Sequence, residues 1–281
     1  MRLAILTNLL LINTIRYLDC IMTQRAFTLI ELLVVVGIIT VAVAVTLPAL
    51  NNTRQQAKSI VCQNNIAQLN IGLQQYEITN KTFPHAWDSW TNPNPPPGGY
   101  PGNPCYDNGG WWWFNFVSGS RETGFNTKSI CWCPSRNISE RSPKRNILVG
   151  NYGVNLLICK NNSIGPKREA IGRPLSASQV RHPSSVLLLC DAGYSAIAWW
   201  YAKNPPDALS CAIGQEWAYV PGLFEVNKQR RLRSGTGWDA SNGRHLRRNI
   251  NVGFVDGHIE RIKSTNLQTD NPNTPTSIWV P

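Results

Sequence analysis

Charge is scarce in this chain. Asp, Glu, Lys and Arg together make up 15% of its 281 residues, while hydrophobic residues make up 42%. That balance excludes a disordered, self-repelling polyelectrolyte. Acidic residues are the scarcer kind, 16 against 27 basic, for a net charge of +11. A basic excess favours anionic partners such as nucleic acid, acidic lipid or anionic glycan without choosing among them, and a solvated basic face would produce the same count. Methionine is nearly absent: Met1 and Met22 are the only two. Both precede a long apolar run, and a start at Met22 would leave the short basic leader Met-Thr-Gln-Arg-Ala ahead of Phe27. We expect translation to begin there.

Missing motifs exclude chemistry in turn. There is no Gly-x-Ser-x-Gly elbow, so a hydrolytic triad built from His245, Asp256 and a serine has no support. Cys131-Trp132-Cys133 has no matching second pair, which makes it a weak zinc signal. No Asp-rich loop has the spacing that calcium requires. The basic stretches Lys228–Arg233 and Arg244–Arg248 could clamp phosphates, but no recognised nucleic-acid fold accompanies them. No internal repeat is visible. The residues thus point to a chain that is not an enzyme, with no assigned cofactor and no nucleic-acid partner.

From Leu32 to Leu47, inside the apolar segment Phe27–Leu50, there is no charged residue at all. Its 24 residues exceed the roughly 20 that a helix needs to cross a bilayer core. The run is rich in valine and isoleucine, which favour strand in water. In lipid every backbone amide must be satisfied within the segment, so helix is forced. Pro48 removes one of those hydrogen bonds and is expected to bend or open the helix locally. One carboxylate, Glu31, stands near the start of the run. A lone carboxylate in hydrocarbon is costly and calls for a partner. The small residue Ala26, directly after Arg25, lies before the apolar run, whereas a secretory signal has its cleavage site after it. Cleavage between Ala26 and Phe27 would keep the helix and create a new amine four residues from Glu31.

Helical signals continue past Pro48. Cys62, Ile66, Leu69, Leu73 and Tyr76 recur at spacings of four and three, which draws one apolar stripe down a helix that should end near Thr79–Lys81. Residues 84–110, dense in proline and glycine, read as a long irregular loop. The signals beyond are β. Ser184–Gly193 contains a short buried strand, and Ile250–Ile262 reads as a hairpin around a two-residue Asp256-Gly257 turn, with Phe254 opposite Ile259. The expected organisation is a leader over 1–26, a membrane helix over 27–48, an amphipathic continuation over 49–80 and a β-rich globule over 81–281. The fold class is α+β. Of the 11 tryptophans, Trp111–Trp113, with Phe114 and Phe116, and Trp199-Trp200-Tyr201 form dense aromatic clusters. These read as core or inter-subunit packing ahead of sugar-stacking surfaces. A membrane-tethered, glycan-binding surface protein that does not polymerise is the alternative they leave open.

The segment "AFTLIELLVVVGIITVAVAVTLPAL" resembles the N-terminal signature of type IV prepilins and of type II secretion pseudopilins. The resemblance implies a pilin-like fold, with the long helix packed on the globule. It also implies cleavage between Ala26 and Phe27 by a prepilin peptidase, N-methylation of Phe27, and pairing of Glu31 with the amine of a neighbouring subunit during assembly. Ala26 stands where the family usually has Gly. The implied partners are other pilin-like subunits, the peptidase and an inner-membrane assembly platform, with the globule periplasmic or on a surface filament. Some pseudopilins bind calcium, but the resemblance assigns no residues for it here. "CPS" (Cys133–Ser135), "NYGVN" (Asn151–Asn155), "HPSSVLLLCDAG" and "GRHLRRNINVGFVDGHIERI" resemble a pseudopilin-like group of planctomycete, verrucomicrobial and lentisphaeral bacteria. That group's C-terminal signature is a His, nine residues, then Asp-Gly; here ten residues lie between His245 and Asp256-Gly257. Cys20 would leave with the leader, and the seven remaining cysteines are an odd number, so at least one thiol is free or intermolecular. In an oxidising compartment, the apolar stripe and the group's recurring segments favour a Cys62–Cys133 disulfide.

Overall fold

The structure, a computed structural model, describes residues 28–88, 111–117, 129–138, 147–162, 170–203, 218–223 and 236–281. The chain divides into two compact units, residues 1–51 and 52–281. One helix, α1 (Leu29–Asn80, 52 residues), contributes to both. It is assigned as one continuous helix with Pro48, the residue expected to bend or locally open it, in its interior.

In the first unit the described side chains are exposed from Thr28 to Asn51. Leu29, Leu33, Ile38 and Val45, at 81, 65, 64 and 70% exposure, lie on different sides of the helix. A helix that is apolar all round and uncovered has the character of a membrane span. It is long and apolar enough to cross a bilayer. Thr40 and Thr46 turn their hydroxyls back to the carbonyls of Gly37 and Val43, which satisfies polar groups that lipid could not.

In the second unit the helix has a dry face made of Ser59, Cys62, Ile66, Leu69, Asn70 and Leu73. Tyr76, expected on that stripe, is only half-buried and packs edge-on against Phe116, with ring centroids 5.8 Å apart. The helix stops at Asn80 because Lys81 turns left-handed (φ 66°) while its N–H still reaches Glu77 O at 2.7 Å.

The dry face lies on a sheet. Strands β1 (Trp87–Asp88) and β2 (Trp111–Trp112) form a small antiparallel pair. The main sheet has five strands: β3 (Tyr152–Asn155), β4 (Leu187–Asp191), β5 (Ala196–Ile197), β6 (Asn249–Phe254) and β7 (Ile259–Lys263), in the order β5-β3-β4-β6-β7. All pairings are antiparallel except β3 with β5. Central β4 is buried along its whole length, which is why it reads as a continuous apolar run. Short helices α2 (Trp113–Val117), α3 (Trp199–Lys203), α4 (Thr236–Asn242) and α5 (Ser264–Thr269) complete the described elements.

Helix and sheet meet closely at Gly253. A Cβ there would stand 2.9 Å from Asn70 Nδ2 and 3.2 Å from Ile66 Cγ2, so the glycine makes room for α1. Asn70 Nδ2 donates to Phe254 O at 3.0 Å, and Gln74 Nε2 donates to Val255 O. Buried amides of Asn155 likewise staple β3 to Leu187 O and Trp279 O, at 2.9 and 2.8 Å.

The β6–β7 hairpin is present, but its register differs from the expected one. Gly253, not Phe254, opposes Ile259. Phe254 instead bonds His258 O at 3.0 Å, and its ring stacks on the His258 ring with centroids 4.2 Å apart. The connection is therefore Val255-Asp256-Gly257. Gly257 N–H reaches Phe254 O at 3.0 Å, and Gly257 is left-handed (φ 99°). This is the three-residue hairpin built on a turn plus a left-handed glycine, which the same Asp-Gly dipeptide serves as well as a two-residue loop.

The aromatic clusters are core. Trp111, Trp112, Trp113 and Phe114 are all at 4% exposure or below, Tyr201 is buried, and Trp199 and Trp200 are half-buried against the core. That burial removes the stacking surface of the Trp111–Phe114 cluster that a glycan reading would have used. Most of the proline-rich loop and the Lys228–Arg233 segment lie outside the described residues.

Candidate functional sites

At the start of α1, Thr28 and Glu31 close on each other. Thr28 N–H donates to Glu31 Oε2 at 2.9 Å and its hydroxyl to the same oxygen at 2.8 Å, while Thr28 Oγ1 accepts the Glu31 N–H at 3.2 Å. This is a reciprocal capping box, which satisfies donors that a helix start leaves open. The carboxylate thus has a partner within its own chain, where the sequence reading supplied one only from a neighbour. The Thr-x-x-Glu spacing was the available signal. Ala26 and Phe27, the expected cleavage pair, lie outside the described residues.

A second constellation lies inside the globular unit and is assembled from four separate segments. Cys62 comes from α1, Cys133 from the 129–138 segment, Asp191 from the end of β4 and His245 from just before β6. One donor atom of each lies within 4.8 Å of the others, and all four residues are buried. Local structure fixes each of them. Cys62 occupies the dry stripe of α1, near Ser135 Oγ at 3.8 Å. The Cys133 amide donates to Asn151 Oδ1 at 3.0 Å, and Asn151 is itself tied to Ile147 O at 2.8 Å. Asp191 is held opposite Tyr152 by the β3–β4 ladder. His245 Nε2 lies 2.9 Å from Asp191 Oδ2, and that oxygen accepts Asn251 N–H at 2.7 Å.

Arg244 backs the cluster from full burial. It pairs with Asp239 at 2.8 Å, stands 3.9 Å from Asp191 Oδ1, and donates to Ala192 O at 3.1 Å and to Asn151 O. Tyr219 donates its hydroxyl to Asp239 Oδ2 at 2.8 Å. A buried guanidinium is tolerable only with partners of this kind.

Burial opposes a charge on His245, but Asp191 and Cys62 outweigh it and push the imidazole pKa up to about 9. Burial also resists ionisation of Cys62, yet Cys133 and His245 bring that thiol down to about 5. Cys133 moves the other way, held well above the ordinary thiol range by burial and then by Cys62. Burial would raise Asp191, but His245 and Arg244 hold it below the usual carboxylate range. The two thiols are thus pushed in opposite directions, Cys62 toward ionisation and Cys133 away from it. Sulfur, imidazole and carboxylate are the ingredients of a nucleophilic triad. At 0% exposure for Cys62 and Asp191 and 3% for His245, however, no substrate atom has a path to the sulfur.

Residues 21–47 match the family model described as the prokaryotic N-terminal methylation motif. The chain carries a prepilin-type N-terminus. The match supports a type IV pilin-like or pseudopilin chain that prepilin peptidase processes and that assembles with other pilin subunits. With the uncovered apolar helix, it supports a single-pass, membrane-anchored protein. No curated protein and no solved structure matches the chain.

Within this prepilin-type chain, the structure brings some of the expected residues together and separates others. Cys62 and Cys133 meet, but both are free thiols, so proximity and not a bond is what the structure holds. Cys131 is buried and stays outside the cluster. His245 and Asp256 do not form a pair. Asp256 Oδ1 accepts the His258 N–H at 3.1 Å and pairs with His258 Nδ1 at 2.6 Å, closing its own turn. The Arg244–Arg248 stretch, readable as a phosphate clamp, turns its first arginine inward at 3% exposure and leaves Arg247 and Arg248 outside. Asp191 and Asp239 were not singled out in the sequence. The one signal for Asp191 was a carboxylate closing an otherwise apolar strand.

Proposed function

We propose that this chain is a pilin-like structural subunit, cut between Ala26 and Phe27, methylated on the Phe27 amine, and assembled through α1 into a type II secretion pseudopilus or type IV pilus-like filament. The observation that carries the reading is the methylation motif at 21–47 running directly into a helix with no cover of its own. The uncovered helix is stable in lipid before assembly and against other helices after it. Glu31 gives entering subunits their register: its carboxylate attracts the free amine of a neighbouring Phe27, and Thr28 holds it until that amine arrives. The globule is then periplasmic or coats the filament, and the inner-membrane assembly platform and prepilin peptidase are the partners this route requires. Resemblance at Cys133–Ser135, Asn151–Asn155 and His245–Gly257 supports membership of the pseudopilin-like group described above. The residue in excess of that group's spacing lies in a stretch containing two left-handed arginines, Arg247 and Arg248 (φ 62° and 58°).

The test is expression with a prepilin peptidase and assembly platform, comparing wild type with Glu31→Ala. Mass spectrometry of the N-terminal peptide should show methylated Phe27 in both proteins. Only the wild type should enter sheared filaments, while membrane insertion stays equal. An intact Met1 or Met22 terminus, or filaments from Glu31→Ala at wild-type level, overturns the reading.

A further inference from the structure

We propose that Cys62, Cys133, His245 and Asp191 bind a single thiophilic divalent metal ion of the zinc class, which ties α1 to the sheet. The inference is independent of filament assembly.

Geometry comes first. Four donors from four distant segments converge within 4.8 Å of one another. A tetrahedral zinc site with metal–sulfur and metal–nitrogen distances of about 2.3 and 2.0 Å has donor–donor edges of roughly 3.3–3.8 Å. The cluster closes on an ion by drawing in its longest edges by about an ångström and easing apart the 2.9 Å His245–Asp191 contact. All four positions are supplied by protein and all are buried, the pattern of a structural site and not of a catalytic one, which keeps a position open.

Unsatisfied atoms point the same way. His245 Nδ1 and Asp191 Oδ1 are buried and make no hydrogen bond. His245 Nε2 and Asp191 Oδ2 lie 2.9 Å apart, and Asn251 supports both. Arg244 meets Asp191 Oδ1 only at 3.9 Å, so the buried lone pairs of this cluster call for a ligand that accepts them. A metal ion does so. A Cys62–Cys133 disulfide would use the two sulfurs and leave both of these atoms as they are.

The donor set selects the ion. Two sulfurs and an imidazole suit zinc or a similar borderline-soft ion; calcium and magnesium take oxygen ligands. Three anionic ligands against a divalent ion leave one negative charge, and Arg244 stands 3.9 Å from Asp191 to meet it. Sequence spacing gave no hint of this, because the two thiols lie in segments 71 residues apart.

The experiment uses the full chain, purified in detergent under reducing, metal-free conditions and titrated with Zn²⁺ and, separately, Co²⁺. We expect one equivalent bound. The Co²⁺ form should show thiolate-to-metal charge transfer in the near ultraviolet and the visible bands of a tetrahedral site. Zn²⁺ should raise the Tm by several degrees, and a chelator should reverse the rise. Cys62→Ser and Cys133→Ser should lose the charge-transfer bands, while Cys131→Ser keeps them. Substoichiometric uptake, or Co²⁺ bands without thiolate character, overturns the proposal on wild-type protein alone, whether or not the variants fold. So does metal-free protein from membranes whose Cys62 and Cys133 are quantitatively disulfide-linked.

Discussion

From Leu29 to Leu50 α1 keeps every side chain exposed, whereas from Ser59 to Leu73 it buries six of them against a sheet. Backbone geometry is the same in both stretches, and the environments are opposite. The first stretch is apolar on all sides, so no particular residue in it is tied to a particular neighbour in the chain. The second stretch has a defined stripe, and each residue on it meets a specific partner: Asn70 meets Phe254 O, Ile66 meets Gly253, and Cys62 meets the thiol–imidazole cluster. Function divides the same way. In the proposed filament the first half acts through composition and one terminal carboxylate, the second through fixed contacts.

The largest effect that would sharpen this contrast is expected at Arg244. Replacement by alanine strands Asp239 and Asp191 in the core and should cost about 3–5 kcal/mol. The loss is measurable as a shift in the denaturant midpoint of the full chain in detergent. A change below about 1 kcal/mol would mean that the buried carboxylates are neutralised by other means. Next is a matched pair of truncations in one helix. Ile66→Ala should cost about 2–5 kcal/mol, because Ile66 is fully buried. Leu33→Ala should leave unfolding of the globular unit within about 0.5 kcal/mol of wild type. Equal effects would break the comparison outright. The smallest effect is expected from Thr28→Val, which removes the hydroxyl of the capping box. Amide exchange in the first turn of α1 should quicken, while the globular unit keeps its midpoint.

Much of this was legible in the sequence, for a physical reason. Periodicity reports which face of a helix is dry, so the Cys62–Leu73 stripe and the end of α1 at Asn80 could be read from it. An unbroken apolar run reports burial on both sides, so β4 could be read too. Hairpin register was not legible, because Asp256-Gly257 fits both a two-residue and a three-residue connection. Backbone pairing with His258, not the dipeptide, chose the second. The burial of Arg244 was not legible for a similar reason: inside a basic run nothing local distinguishes an arginine bound for Asp239 from one bound for solvent.

By itself the sequence determined the membrane-length helix, the processing motif around Phe27, the dry stripe on α1 and the strand content of the globule. Each of these depends on neighbours no more than a few residues away. Tertiary structure alone decided that Cys62, Cys133, Asp191 and His245 share one buried volume and that Arg244 closes it. Those residues are far apart in the chain, and what brings them together is the packing of α1 on the β3-β4-β6 sheet, which no short stretch of sequence encodes.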